Sequence, residues 1–127
     1  MKLLKPQKIF LTIVSGKPDK VRRVAWKIRK IILGISPRIV ENVYGGIRVK
    51  NALYSVINPN NVLYGIQATN KYCTLYLHHT DKIDMLGVKL QGKGKYAKHI
   101  KFSTVGEINE QLLTNIFRQI FVLQTEY

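Results

Sequence analysis

Carboxylates are scarce in this chain. Of its 127 residues only 7 are Asp or Glu, against 21 Lys or Arg, and the formal charge is +14. The seven acids are scattered, and no two are spaced for general acid–base work, so no catalytic acid, base or nucleophile is nominated and a non-enzymatic role is expected. There is one cysteine, Cys73, which excludes an internal disulfide and a cysteine-rich zinc site. No apolar run reaches the roughly 18 residues of a membrane span. The segment Met1-Lys-Leu-Leu-Lys5 lacks the apolar stretch and small-residue cleavage site of a secretion signal. A cytoplasmic protein without membrane contact is expected. Repeats, Ser/Gly linkers and low-complexity tracts are also missing, which predicts one domain over residues 1–127, with 1–17 as an extension or short element and 18–121 as the core.

What is present is a globular pattern, with 46% hydrophobic residues. Residues 7–14 are ambiguous between a short helix and a strand. Pro18 suits the first helical position and Asp19 complements a positive helix N-terminus. Val21, Val24, Ala25, Ile28, Ile31, Ile32 and Ile35 then build one helical face, which Gly34 can end. Ser36-Pro37 resembles a cap followed by a first-turn proline and predicts a second short helix through about Val43. After the Tyr44-Gly45-Gly46 turn, residues 52–57, 62–69 and 72–79 read as strands joined by short turns, and residues 95–102 as a fourth. Thr104 with Glu107 fits a capping box ahead of a long amphipathic helix through Leu123. Helices, then a strand meander, then a helix predict an α+β domain, its antiparallel sheet of four to five strands covered on one face by helices.

Few motifs carry chemistry. Gly87 to Lys93 matches the first part of a phosphate-binding loop, but Gly94 stands where the hydroxyl must be. Gly92 to Ala97 touches a loose dinucleotide pattern without a βαβ unit around it. The simple reading of Gly92 and Gly94 is a turn into a strand. The sharper one is an anion nest of backbone amides ringed by Lys93, Lys95, His99 and Lys101, of which Lys95, His99 and Lys101 share strand parity. Adjacent His78 and His79 are expected on opposite faces of a strand, and no metal site is expected. Cys73 alternates with Leu75 and Leu77 and is expected to be a buried hydrophobe. No cofactor is expected.

The charge is uneven. Residues 1–63 hold 13 basic side chains against Asp19 and Glu41, while residues 64–127 hold 8 against 5. Lys20, Arg23, Lys27 and Lys30 recur at helical spacing, and Arg22 and Arg29 fall on the same polar half. Such a stripe attracts phosphate backbones without reading sequence. Tyr54, Tyr64, Tyr72 and Tyr76 are expected mainly beneath covering helices, not as stacking platforms.

The order of these signals, with Ser36-Pro37, Glu41 to Gly46 and Leu90-Gln-Gly92-Lys-Gly94-Lys95-Tyr-Ala-Lys98-His99-Ile-Lys101-Phe102, resembles the YdhG-like family over about residues 18–121. These are small bacterial α+β domains, mostly of unknown function, some described as frataxin-like iron chaperones. The resemblance implies a binding or carrier protein. Tyr44, Gly45 and Gly46 match the family's tyrosine–glycine turn, and Gly92, Gly94, Lys95, His99 and Lys101 match its Gly/Lys-rich segment. Iron favours oxygen ligands, which are few here, and a field of +14 repels cations. The expectation is a pocket between Tyr44–Gly46 and Gly92–Lys101 for an anionic group, on a small molecule or an acidic protein. The alternative is nonspecific nucleic-acid binding on Lys20, Arg23, Lys27 and Lys30.

Overall fold

The isoleucine-rich period from Val21 builds the helix on which the sheet rests. In the computed structural model, which describes residues 5–45, 50–87 and 97–125, the elements are α1 (Lys5–Val14), α2 (Asp19–Leu33), β1 (Val40–Gly45), β2 (Lys50–Ser55), β3 (Tyr64–Ala68), β4 (Cys73–His78), β5 (Ala97–Phe102) and α3 (Glu110–Thr125), with single 3₁₀ turns at Thr80–Lys82 and Val105–Glu107. The sheet is a five-stranded antiparallel meander in the order β1-β2-β3-β4-β5. Helices cover one of its faces, so the chain is an α+β fold.

The ambiguous first segment is helical. Phe10, Ile13 and Val14 are buried while Ile9 and Leu11 are exposed, a helical spacing that a strand would scramble by putting Ile9, Leu11 and Ile13 on one side. Because α1 delivers these residues to the same core as α2, residues 5–14 are part of the domain and not an appendage. On α2, Val21, Val24, Ala25, Ile28, Ile31 and Ile32 are all buried, and truncating any of these isoleucines to Ala would cost about 2–5 kcal/mol.

The short helix expected from Ser36 is not there. Ser36 Oγ accepts from the Arg38 amide, and Ile39 N–H donates to the Ser36 carbonyl. This closes a turn, and the chain leaves it extended as β1. Val40, Val43 and Tyr44 suit a pleated surface, and β2 supplies a full ladder from Val40↔Ser55 to Gly45↔Lys50. The capping box also falls elsewhere. Glu107 Oε1 accepts from the amides of Ser103 at 2.7 Å and Thr104 at 2.9 Å, but the box caps the 3₁₀ turn at Val105–Glu107. Asn109 opens α3, its Oδ1 accepting from Leu112 N–H at 3.1 Å.

Strand alternation sorts the sheet into two faces. Ala52, Tyr54, Tyr64, Ile66, Ala68, Cys73, Leu75, Leu77 and Phe102 point to the helices and are buried. Cys73 is in this set, as its alternation with Leu75 and Leu77 predicts, and burial pushes its thiol pKa up to about 12. Tyr64 donates its hydroxyl hydrogen to the Phe117 carbonyl and sets its ring 4.7 Å from that of Phe117, which ties β3 to α3.

Candidate functional site

The other face of the sheet carries the side chains that the core does not use. Two pairing rows cross all five strands on it. One runs Asn42–Leu53–Gly65–Tyr76–His99 and the other Tyr44–Asn51–Gln67–Thr74–Lys101. Directly paired residues of antiparallel strands project to the same side, and the rows are two residues apart on every strand, so both belong to one surface. Among the described residues no helix packs on it.

This placement reorders the expected site. Tyr44 and Gly45 stand on edge strand β1, and His99 and Lys101 on the opposite edge, β5. Four strand spacings separate them, about 19 Å. Ala97, where β5 begins, pairs with His78 at the end of the sheet opposite Gly45. Tyr44, His99 and Lys101 therefore share a face, and they do not close a cleft. Gly45 takes a φ of 133° as β1 ends, a backbone that favours glycine. Gly46, Gly92, Lys93, Gly94 and Lys95 lie outside the described residues.

The face has a defined chemistry. Lys101 Nζ sits 4.7 Å from the ring centroid of Tyr72, within cation–π range. The His99 and Tyr76 rings lie 5.7 Å apart, and the Tyr76 hydroxyl donates to Gln67 Oε1 at 3.2 Å. Gly65 leaves bare backbone in the middle of the sheet, and Leu53 leans over it, since a Cβ built there would stand 3.2 Å from Leu53 Cδ2 and 3.5 Å from Tyr76 Cβ. Asn51 Oδ1 is shielded from water and has no hydrogen-bond partner among the described residues. Of the acids among the described residues (Asp19, Glu41, Asp81, Asp84, Glu107 and Glu110) none falls in either row.

The tyrosines thus divide. Tyr54 and Tyr64 are beneath the helices as expected, while Tyr72 and Tyr76 are half-buried on the open face. Period-two alternation already separates Tyr76 from Leu75 and Leu77, and that was the signal in the sequence for this second pair.

The α2 stripe is altered by its surroundings. Lys20, Arg23 and Lys30 are exposed and Lys27 is half-buried. Asp19 pairs with both Arg23, Nε–Oδ2 at 2.8 Å, and Arg22, Nη2–Oδ1 at 3.3 Å. Arg29 is not on the solvated half. It is buried over the Phe10 and Trp26 rings, 5.2 and 5.4 Å from their centroids, and it chelates Glu41.

The histidine pair also departs from strict alternation. His79 has a left-handed backbone, φ 59°, which ends β4 and leaves the two imidazoles 6.4 Å apart. His79 Nε2 lies 2.7 Å from Asn61 Oδ1. Two further concavities flank α3. One of about 430 Å³ includes Lys82 and Arg118 beside Val122 and Leu123. Another of about 240 Å³ runs from Lys101 and Phe102 to Glu107 and Leu112. Compared with protein-family models, with curated proteins and with solved structures, the chain gives no match, and the YdhG-like resemblance rests on its two short motifs.

Proposed function

We propose that this protein is a non-enzymatic binding domain of the YdhG-like type that takes an anionic ligand on the open face of its sheet. One observation carries the reading: two pairing rows cross five strands, end in His99 and Lys101 at the β5 edge, and include no carboxylate. Of the matching residues at the end of β1, Tyr44 lies on the same face. Lys101 is exposed and held over Tyr72, so it can meet an anion without losing a carboxylate partner. An iron cargo, implied by the resemblance for some family members, has weaker support. Among the described residues no three His, Cys, Asp or Glu side chains are grouped to share an ion, and iron favours such oxygen-rich groups.

A second reading places nucleic acid on α2, where Lys20, Arg23, Lys27 and Lys30 follow one side of the helix. Its support is the exposure of Lys20, Arg23 and Lys30. Asp19 offsets part of that charge.

The two readings separate in one titration against inorganic polyphosphate at several salt concentrations. The variant His99→Gln/Lys101→Gln is expected to weaken binding several-fold and flatten the salt dependence, because the lost Lys101–phosphate contact removes a counterion-release contribution. The variant Lys20→Gln/Lys27→Gln/Lys30→Gln should act less. If only the α2 variant weakens binding, the open-face reading is wrong.

A further inference from the structure

An anionic ligand can be a bare phosphate chain, an acidic peptide or a nucleotide polymer, and the open face distinguishes them. A phosphate chain needs only cations. The two rows instead combine rings and amides with one ammonium, Lys101, and one imidazole, His99. Tyr76 of β4 and Tyr72, the residue just before that strand, have the same parity and stand four residues and so about 13 Å apart, with the small, buried Thr74 between them. Beside Tyr72 is the Lys101 ammonium and beside Tyr76 the His99 imidazole. Each ring therefore has, within one residue's reach, a group able to contact a phosphate next to a base stacked on that ring. Leu53 over the bare backbone of Gly65 extends an apolar floor beside Tyr76.

The polar groups point the same way. Asn42, Asn51 and Gln67 bring planar amides to the face, with both donors and acceptors. The Asn51 Oδ1 has no donor among the described residues but is shielded from water, so its side chain has to turn outward to meet a base amine, a turn that breaks no hydrogen bond at that oxygen. Polyphosphate has no N–H to give it. An acidic peptide carries carboxylates and backbone N–H but has no continuous series of flat rings to lay on tyrosines. A ligand with anionic groups, N–H donors and stackable faces in regular repeat is a single-stranded nucleic acid, and a sheet face with aromatic residues is a known geometry for holding unpaired bases.

We propose that the open sheet face binds single-stranded nucleic acid, with bases stacked on Tyr72 and Tyr76, phosphates met by His99 and Lys101, and base edges met by Asn51 and Gln67. This rests on the reading of that face as an anion-binding surface and adds the ligand class.

The test uses the full chain and three fluorescent probes of equal length at low salt: a 15-nucleotide oligothymidylate, a 15-unit abasic strand of the same charge, and a duplex of that length. Oligothymidylate is expected to bind at least about fivefold tighter than the abasic strand, the low end for one stacked base, and tighter than the duplex. Tyr72→Leu and Tyr76→Leu should each erase most of that margin, while Tyr76→Phe keeps it. Equal affinity for oligothymidylate and the abasic strand overturns the stacking proposal but leaves the anion reading intact. Failure to bind any of the three probes overturns both. The comparison of wild-type affinities needs no substitution, so a variant that folds poorly does not decide it.

Discussion

Arg29 of α2 and Glu41 of β1 form a two-point ion pair, Nε–Oε2 at 2.8 Å and Nη2–Oε1 at 3.1 Å, with side chains only 9% and 3% exposed. The Tyr54 hydroxyl donates to the same carboxylate, and Phe10 and Trp26 line the guanidinium. The cluster joins α1, α2, β1 and β2 on the covered side of the sheet. It absorbs the one acid on β1, and this leaves the open face without a carboxylate at that edge. Burial and the adjacent Glu41 charge hold the Tyr54 phenol neutral, its pKa raised above the ordinary tyrosine value.

Glu41→Gln should destabilise the fold by about 3–5 kcal/mol, because it leaves a buried guanidinium without its counter-charge. Adding Arg29→Met removes the stranded charge while Gln at 41 still accepts from Tyr54. The double variant is therefore expected to be more stable than the Glu41→Gln single. Urea denaturation of the two variants checks this, and a double variant that is less stable would show that the pair contributes beyond charge compensation.

The two tyrosine populations predict opposite responses to loss of the hydroxyl. Tyr64→Phe removes the hydroxyl that ties β3 to the Phe117 carbonyl of α3 and should cost about 0.5–1.5 kcal/mol, the net worth of one hydrogen bond. Tyr72→Phe removes a group on the open face and should change stability by less than about 0.5 kcal/mol. Thermal melts of both variants would show it.

Cys73 is fully buried, and burial raises its thiol to about 12. Since the thiolate is the nucleophile, the native protein at pH 8 should resist an aromatic disulfide reagent and react only in denaturant. Fast stoichiometric labelling of the native chain would contradict this placement.

His78 titrates below its ordinary value of 6.5 because burial disfavours the imidazolium, with a smaller contribution from the neighbouring His79. The unfolded chain thus binds more protons than the native one below about pH 6.5. Stability should be flat above that pH and fall as the pH drops through it. His78→Gln is expected to flatten this slope in urea midpoints measured from pH 7.5 to 5, and an unchanged slope would assign it to another group.

Much of the fold could be read from single residues. The faces of α2 and α3, the three central strands and the burial of Cys73 followed from spacing, because periods of 3.6 and 2 record which side of an element avoids water. The segment Pro37–Tyr44 could not be read this way. Its Ser-Pro start is compatible with a helix, and its strand exists only because β2 offers a hydrogen-bonding edge and Arg29 a partner for Glu41. For the candidate site, strand parity put His99 and Lys101 on one side, but nothing local could say that Tyr44 stands at the opposite edge of the same surface.

Arg22 and Arg29 show where the division falls. They are seven residues apart, nearly in line on the helix, and their local patterns are alike. Arg22 is exposed beside Asp19, while Arg29 is buried because Phe10 of α1 and Glu41 of β1 meet above it. The sequence alone determined the α+β class, the apolar faces and the excess of cations, since these depend on composition and on the repeat of each element. Only the tertiary structure decided which cation is buried, which tyrosines face solvent and which residues share the open sheet. Those outcomes depend on contacts between segments distant in the chain, and no local period encodes them.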